Sequence, residues 1–102
     1  MKIKTIDINC KEWFDRINGN SYFAGEIVLN YGTKKEETFI MSFQYGYGNY
    51  YIDEAKKQLT EHNYISCNYG QDLWSFCKDN NIILRTSKEE NCLKRELKKY
   101  SN

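Results

Sequence analysis

The chain has 102 residues, of which 40% are hydrophobic, 28% charged and 16% aromatic, with no proline and a formal net charge of +1. That length holds one domain, residues 1–102, with a single modest core. The aromatic content argues against disorder, and the charge balance against an acidic tail or a strongly basic nucleic-acid arm. No apolar run reaches the length of a signal peptide or a membrane span, which points to a cytoplasmic protein without membrane partners.

The opening residues 2 to 7 alternate and predict a short strand with Ile3 and Ile6 as apolar contributors. Asn9, followed three positions later by Glu12, reads as a helix N-cap with a reciprocal capping box. Cys10, Trp13, Phe14 and Ile17 then fall at helical spacing, which predicts a core-facing helix stopped near Asn18-Gly19. From Tyr22 to Tyr31 the period becomes two, with Phe23, Ile27, Leu29 and Tyr31 on one side and Tyr22, Ala24, Glu26 and Val28 on the other. A polar turn leads to a second alternating segment, residues 38 to 44, and the two form a β-hairpin.

Asn49 is placed to cap a second helix reaching about His62, with Tyr51 or Ile52, Ala55 and Leu59 as its apolar stripe. A third helix is expected from Asp72 to about Asn80 through Leu73, Phe76 and Cys77. The run Ile82-Ile83-Leu84-Arg85-Thr86 predicts a strand buried on both faces. Ser87 with Glu90 repeats the capping-box pattern and opens a last helix carrying Leu93, Leu97 and Tyr100 along one side. The order βαββααβα describes an α+β domain: a small antiparallel sheet built on the central hairpin, with residues 2 to 7 and 82 to 86 as edge strands and helices mainly on one face.

Cys10, Cys67, Cys77 and Cys92 include no Cys-x-x-Cys pair, and His62 is the single histidine, so no metal or other cofactor is expected. Reduced, buried thiols are the expectation. His62 beside Glu61 is no base and orienter pair, because adjacent helical residues point apart, and no local signature selects a nucleophilic cysteine. An enzyme is not expected.

The distinctive segment is Tyr45-Gly46-Tyr47-Gly48-Asn49-Tyr50-Tyr51, a glycine-punctuated aromatic loop between a strand and a helix. Three readings apply: a turn that needs glycine, a tyrosine cluster for recognition, or a phosphate site at the helix start. The nucleotide fingerprints are incomplete, since Tyr51 stands where a third glycine belongs and no Gly-Lys-Ser/Thr ending follows. Tyr45, Tyr47, Asn49, Tyr50 and Tyr51 are therefore the candidate partner-binding residues. Arg85, Lys94, Arg95, Lys98 and Lys99 form a mildly basic stretch that suits a solvated helix face, an acidic partner or, as the weaker alternative, nucleic acid.

Three stretches carry a resemblance: residues 11 to 23 (KEWFDRINGNSYF), residues 43 to 51 (FQYGYGNYY), and Asn81 to Arg85 with Asn91 to Leu97. In this order they resemble small accessory proteins encoded by bacteriophages and prophages, over most of the chain. The Asn- and Lys-rich, proline-free composition is similar to that of phages of AT-rich bacteria. The resemblance implies a non-catalytic protein that binds and inhibits a host protein, such as a CRISPR effector or another antiviral defence component. It carries no catalytic residues. A net charge of +1 speaks against a DNA mimic, whose surface is acidic throughout.

Overall fold

A computed structural model describes residues 2–100. Seven elements follow one another: β1 (Thr5–Asp15), β2 (Asn20–Leu29), β3 (Glu37–Tyr45), α1 (Tyr50–Glu61), α2 (Leu73–Asp79), β4 (Ile83–Glu89) and α3 (Lys94–Lys98). The four strands form one sheet in the order β3-β2-β1-β4. The sheet is mixed, because β1 and β2 pair antiparallel, as do β2 and β3, whereas β4 lies parallel to β1. The fold is α+β, with two corrections to the expected order and strand arrangement.

The first concerns residues 10 to 17. They are not a helix: β1 runs unbroken to Asp15, with Cys10 opposite Gly25 and Trp13 opposite Tyr22. Cys10 shares a core cluster with Ile6 and Ile8, Trp13 packs in a second cluster, and Ile17 stands in the turn, fully open to solvent. Asn18-Gly19 therefore closes a hairpin and does not end a helix. Gly19 has φ 70°, and the Asp15 carboxylate accepts from Asn18 Nδ2 at 2.7 Å and from the backbone N–H of Ile17 at 3.0 Å.

The second concerns the last helix. Ser87 and Glu89 belong to β4, and α3 begins only at Lys94, where Glu96 accepts from Leu93 N at 2.6 Å. The two residues expected to cap helices are paired with each other, since Ser87 Oγ donates to Asn9 Oδ1 at 2.8 Å across the parallel ladder. Glu12 meets Lys88 Nζ at 3.4 Å instead of reaching back to Asn9. Arg85 with Asp7 (2.7 and 2.9 Å) and Lys11 with Glu89 (2.6 Å) complete the row of polar pairs on this side of the sheet. Strand β4 is thus an edge with Ile83 exposed, not a strand buried on both faces. Residues 2 to 7 likewise give no edge strand, because β1 lies inside the sheet.

One side of the sheet presents Ile6, Ile8, Cys10, Phe23, Ile27, Leu29 and Met41 to Tyr51, Ile52, Ala55 and Leu59 of α1 and to Leu73 and Cys77 of α2. The Asp72 side chain caps α2 by accepting from Ser75 N at 2.7 Å, but Asn49 makes no side-chain cap on α1. The opposite side carries a smaller cluster of Ala24, Cys92 and Leu97 with Trp13, Tyr22, Phe43 and Tyr100, so α3 packs there. The two clusters meet at a bend. Gly25 lies so close to β1 that an added Cβ would sit 2.1 Å from the Asn9 carbonyl oxygen and 2.8 Å from Cys10 Cα. Beside it, the register of β3 on β2 shifts between Phe23 and Gly25, with three β3 steps from Met41 to Gln44 set against two on β2.

Gly25→Ala should therefore cost about 3 kcal/mol or more in urea unfolding, because backbone atoms cannot yield as a side chain can. Gly19→Ala, with nothing near the new methyl, should cost only about 1 kcal/mol for its positive φ. The Asn18 side chain, with the N–H groups of Asn18 and Ile17, holds the Asp15 carboxyl below its ordinary value. That stabilisation is present above the unfolded value of about 3.9 and lost as pH falls through the lower folded value. Wild type should accordingly be more stable than Asp15→Ala at neutral pH, and the gap should narrow below about pH 4 in acid titrations of the unfolding midpoint.

Candidate functional site

At the end of the sheet beyond the bend, aromatic side chains gather in one row across three strands. Trp13 of β1 stands opposite Tyr22 of β2, which stands opposite Tyr45 of β3. Trp13 and Tyr22 stack at 5.4 Å between ring centroids, Tyr22 and Phe43 stack at 5.2 Å, and Tyr45 meets Tyr22 edge-on at 5.9 Å. Such contacts add about 0.5–1.5 kcal/mol per pair beyond burial and hold the rings in place. Lys94 Nζ lies 5.3 Å from the Trp13 ring centroid, which joins the basic helix to the aromatic row.

The chain then turns from β3 into α1 through the two glycines. Gly46 donates to Ser21 O at 3.1 Å, and an added Cβ there would meet Phe23 Cε1 at 2.6 Å and Tyr50 Cδ2 at 2.7 Å. Gly46 is needed because the Tyr50 ring packs edge-on against Phe23 at 5.8 Å, leaving no room for a side chain between them. Gly48 takes φ 61°, and its carbonyl accepts from Lys88 Nζ at 3.2 Å, tying the loop to β4. The result is a cleft of about 590 Å³ lined by Tyr45, Gly46, Tyr47, Asn49, Tyr50 and Asp53.

Four of the five expected partner-binding residues meet here. Tyr45, Tyr47 and Tyr50 are 58%, 70% and 45% exposed, and Asn49 is exposed beside them. Tyr51 is the exception: at 6% exposure it lies in the main core, because its position one and two turns before Ala55 and Leu59 sets it on the buried stripe of α1. Asp53, which the sequence did not single out, completes the cleft from the first turn of α1. A carboxylate at that position repels an anion, and two N–H groups at the helix start are engaged, Tyr50 N to Tyr47 O and Ile52 N to Asn49 O. This environment disfavours the phosphate reading of the loop.

The expected basic residues divide. Lys94, Arg95, Lys98 and Lys99 are all exposed on or beside α3. Arg85 does not join them, since it is held bidentate by Asp7 on β1. A second apolar hollow of about 630 Å³ lies between the β1–β2 turn and the approach to α3, with exposed Phe14, Ile17 and Leu93 on its walls.

The thiols are free; Cys10, Cys77 and Cys92 are buried and Cys67 half-buried. Burial pushes Cys10 up to about 12 and Cys77 to about 11, so neither is a ready nucleophile at neutral pH. The His62 ring hydrogen-bonds Gln58 O at 2.8 Å and rests against Phe39. Among the described residues, no group of three or more His, Cys, Asp or Glu side chains is placed to hold a metal ion, and no helix is long and apolar enough to cross a membrane. Comparisons with protein-family models, with curated proteins and with solved structures find no match.

Gly46→Ala should displace the Tyr50 and Phe23 rings and cost about 1–3 kcal/mol, with a changed near-ultraviolet circular dichroism signal from tyrosine. Gly48→Ala, where the added methyl meets nothing, should cost about 1 kcal/mol and leave that signal intact.

Proposed function

We propose that this is a non-catalytic accessory protein that acts in the cytoplasm of an infected bacterium, where it binds and inhibits a host protein of an antiviral defence, with CRISPR effectors as the first class to test. The phage resemblance supplies the biological setting. The observation that carries the docking surface is the cleft at the end of the sheet, where three exposed tyrosines gather and two of them, Tyr45 and Tyr50, are braced by Tyr22 and Phe23. Tyrosine provides large contact area with few rotors and a polar tip, so rings already held in place lose little freedom on binding.

The alternative is binding to nucleic acid through Lys94, Arg95, Lys98 and Lys99, and the placement of Lys94 over Trp13 favours it to the extent that bases stack beside phosphate contacts. That reading predicts affinity falling steeply with salt.

Affinity capture from a bacterial lysate with the full chain, followed by binding measurements on the purified partner, tests the proposal. A stoichiometric partner is expected, with Tyr47→Ala and Tyr50→Ala each weakening the complex about tenfold or more, as for aromatic anchors at interface centres. A complex untouched by both substitutions, or salt-sensitive nucleic-acid binding in place of a protein partner, would overturn it.

A further inference from the structure

We infer that the cleft between the β3–α1 loop and the first turn of α1 receives an arginine side chain of the partner protein. The inference rests on the docking surface described above and narrows it to the chemistry of its central contact. Three phenol rings line the cleft, and two of them are fixed by edge contacts, Tyr45 on Tyr22 at 5.9 Å and Tyr50 on Phe23 at 5.8 Å. The faces of such rings carry negative potential and attract a cation.

Asp53 adds a full negative charge to the same cleft, and it forms no ion pair among the described residues. Among the described residues, no lysine lies within salt-bridge distance of it. Lys56 Nζ donates to the Gln71 carbonyl, Lys88 Nζ to Glu12 and to the Gly48 carbonyl, and Lys57 makes no salt bridge with Asp53. The cleft thus combines tyrosine rings, an amide from Asn49 and a carboxylate held in no salt bridge, with no lysine or arginine among its lining residues.

Arginine fits this combination better than lysine. Its planar guanidinium stacks on a ring face and offers paired N–H donors to a carboxylate, whereas the ammonium is compact and strongly hydrated. A nucleotide fits worse, because its phosphate would face Asp53. A local negative site of this kind lets a chain of net charge +1 meet a basic group at one spot.

An NMR titration of the full chain with arginine methyl ester, lysine methyl ester and uridine monophosphate tests the site. Arginine ester should give saturable shifts at Tyr45, Tyr47 and Tyr50 and bind about threefold or more tightly than lysine ester. Asp53→Asn should weaken arginine binding about fivefold while keeping the far-ultraviolet spectrum of the folded chain. No saturable shift, unchanged binding in Asp53→Asn, or tighter binding of the nucleotide would overturn the inference. With the captured partner, loss of binding in Tyr47→Ala and Tyr50→Ala but not in Asp53→Asn removes the arginine site and leaves the docking surface standing. Persistence of the complex in the tyrosine variants removes the docking surface itself.

Discussion

Gly25 has no side chain, and the Asn9 carbonyl oxygen of β1 occupies the place where one would begin, 2.1 Å from the position of an added Cβ. This close approach lets the two long strands coil over each other, and on the far side of β2 the extra residue in β3 accommodates the same bend. Before the bend the sheet presents Ile6, Ile8, Ile27, Leu29 and Met41 to α1 and α2; beyond it, Ala24, Trp13, Tyr22 and Phe43 meet α3 on the opposite side. Strand alternation completes the division, placing Phe23, Ile27 and Leu29 in one cluster and Tyr22 and Ala24 in the other.

The candidate site is a consequence of that division. A flat sheet of this size would bury one side and leave the other polar. Here the polar side is marked along β1 and β4 by the Asp7–Arg85, Asn9–Ser87 and Lys11–Glu89 pairs. The far end is aromatic on both sides, with Tyr22 beneath Tyr45 and Phe23 beneath Tyr50. Gly46 lets the loop pass over Phe23, and Lys88 anchors that loop to β4 while also meeting Glu12 of β1. Tyr45 and Tyr50 therefore rest on rings of β2, and the loop between them is tied to β4.

Much of this was legible from residue pattern, and the failures share one cause. The hairpin of β2 and β3, α1 and α2 follow from periodicity, since their apolar residues face a core on one side. Residues 9 to 17 satisfy a helical template and a capping box at once, yet alternation of Ile6, Ile8 and Cys10 and the hairpin signal Asn18-Gly19 read equally well as a strand and its turn. Pairing with β2 as far as Asp15, and with β4 as far as Lys11, outweighs local helix preference, and no local pattern reports pairing with residues far along the chain. Asn9 and Ser87 were each read as caps because both are good acceptors, and each finds its partner in the other. Asp53 with Glu54 shows no metal-ligand pattern in the sequence, and an acid in a first helical turn is ordinary, so residue pattern alone does not assign it to the cleft. The asparagine-rich composition also has a structural use: Asn30, Asn63, Asn81 and Asn91 all take positive φ at the ends of elements, a conformation that asparagine tolerates better than most residues with a side chain.

The central claim is that residues 9 to 15 form an interior strand whose contact with Gly25 bends the sheet and assembles the aromatic end. Backbone nuclear Overhauser effects test it most directly. The account predicts interstrand contacts between Cys10 and Gly25, between Trp13 and Tyr22, and between Asn9 and Ser87. Sequential amide–amide contacts with medium-range i to i+3 contacts from Cys10 to Ile17 would instead report a helix, and the account of both the fold and the site would fall together.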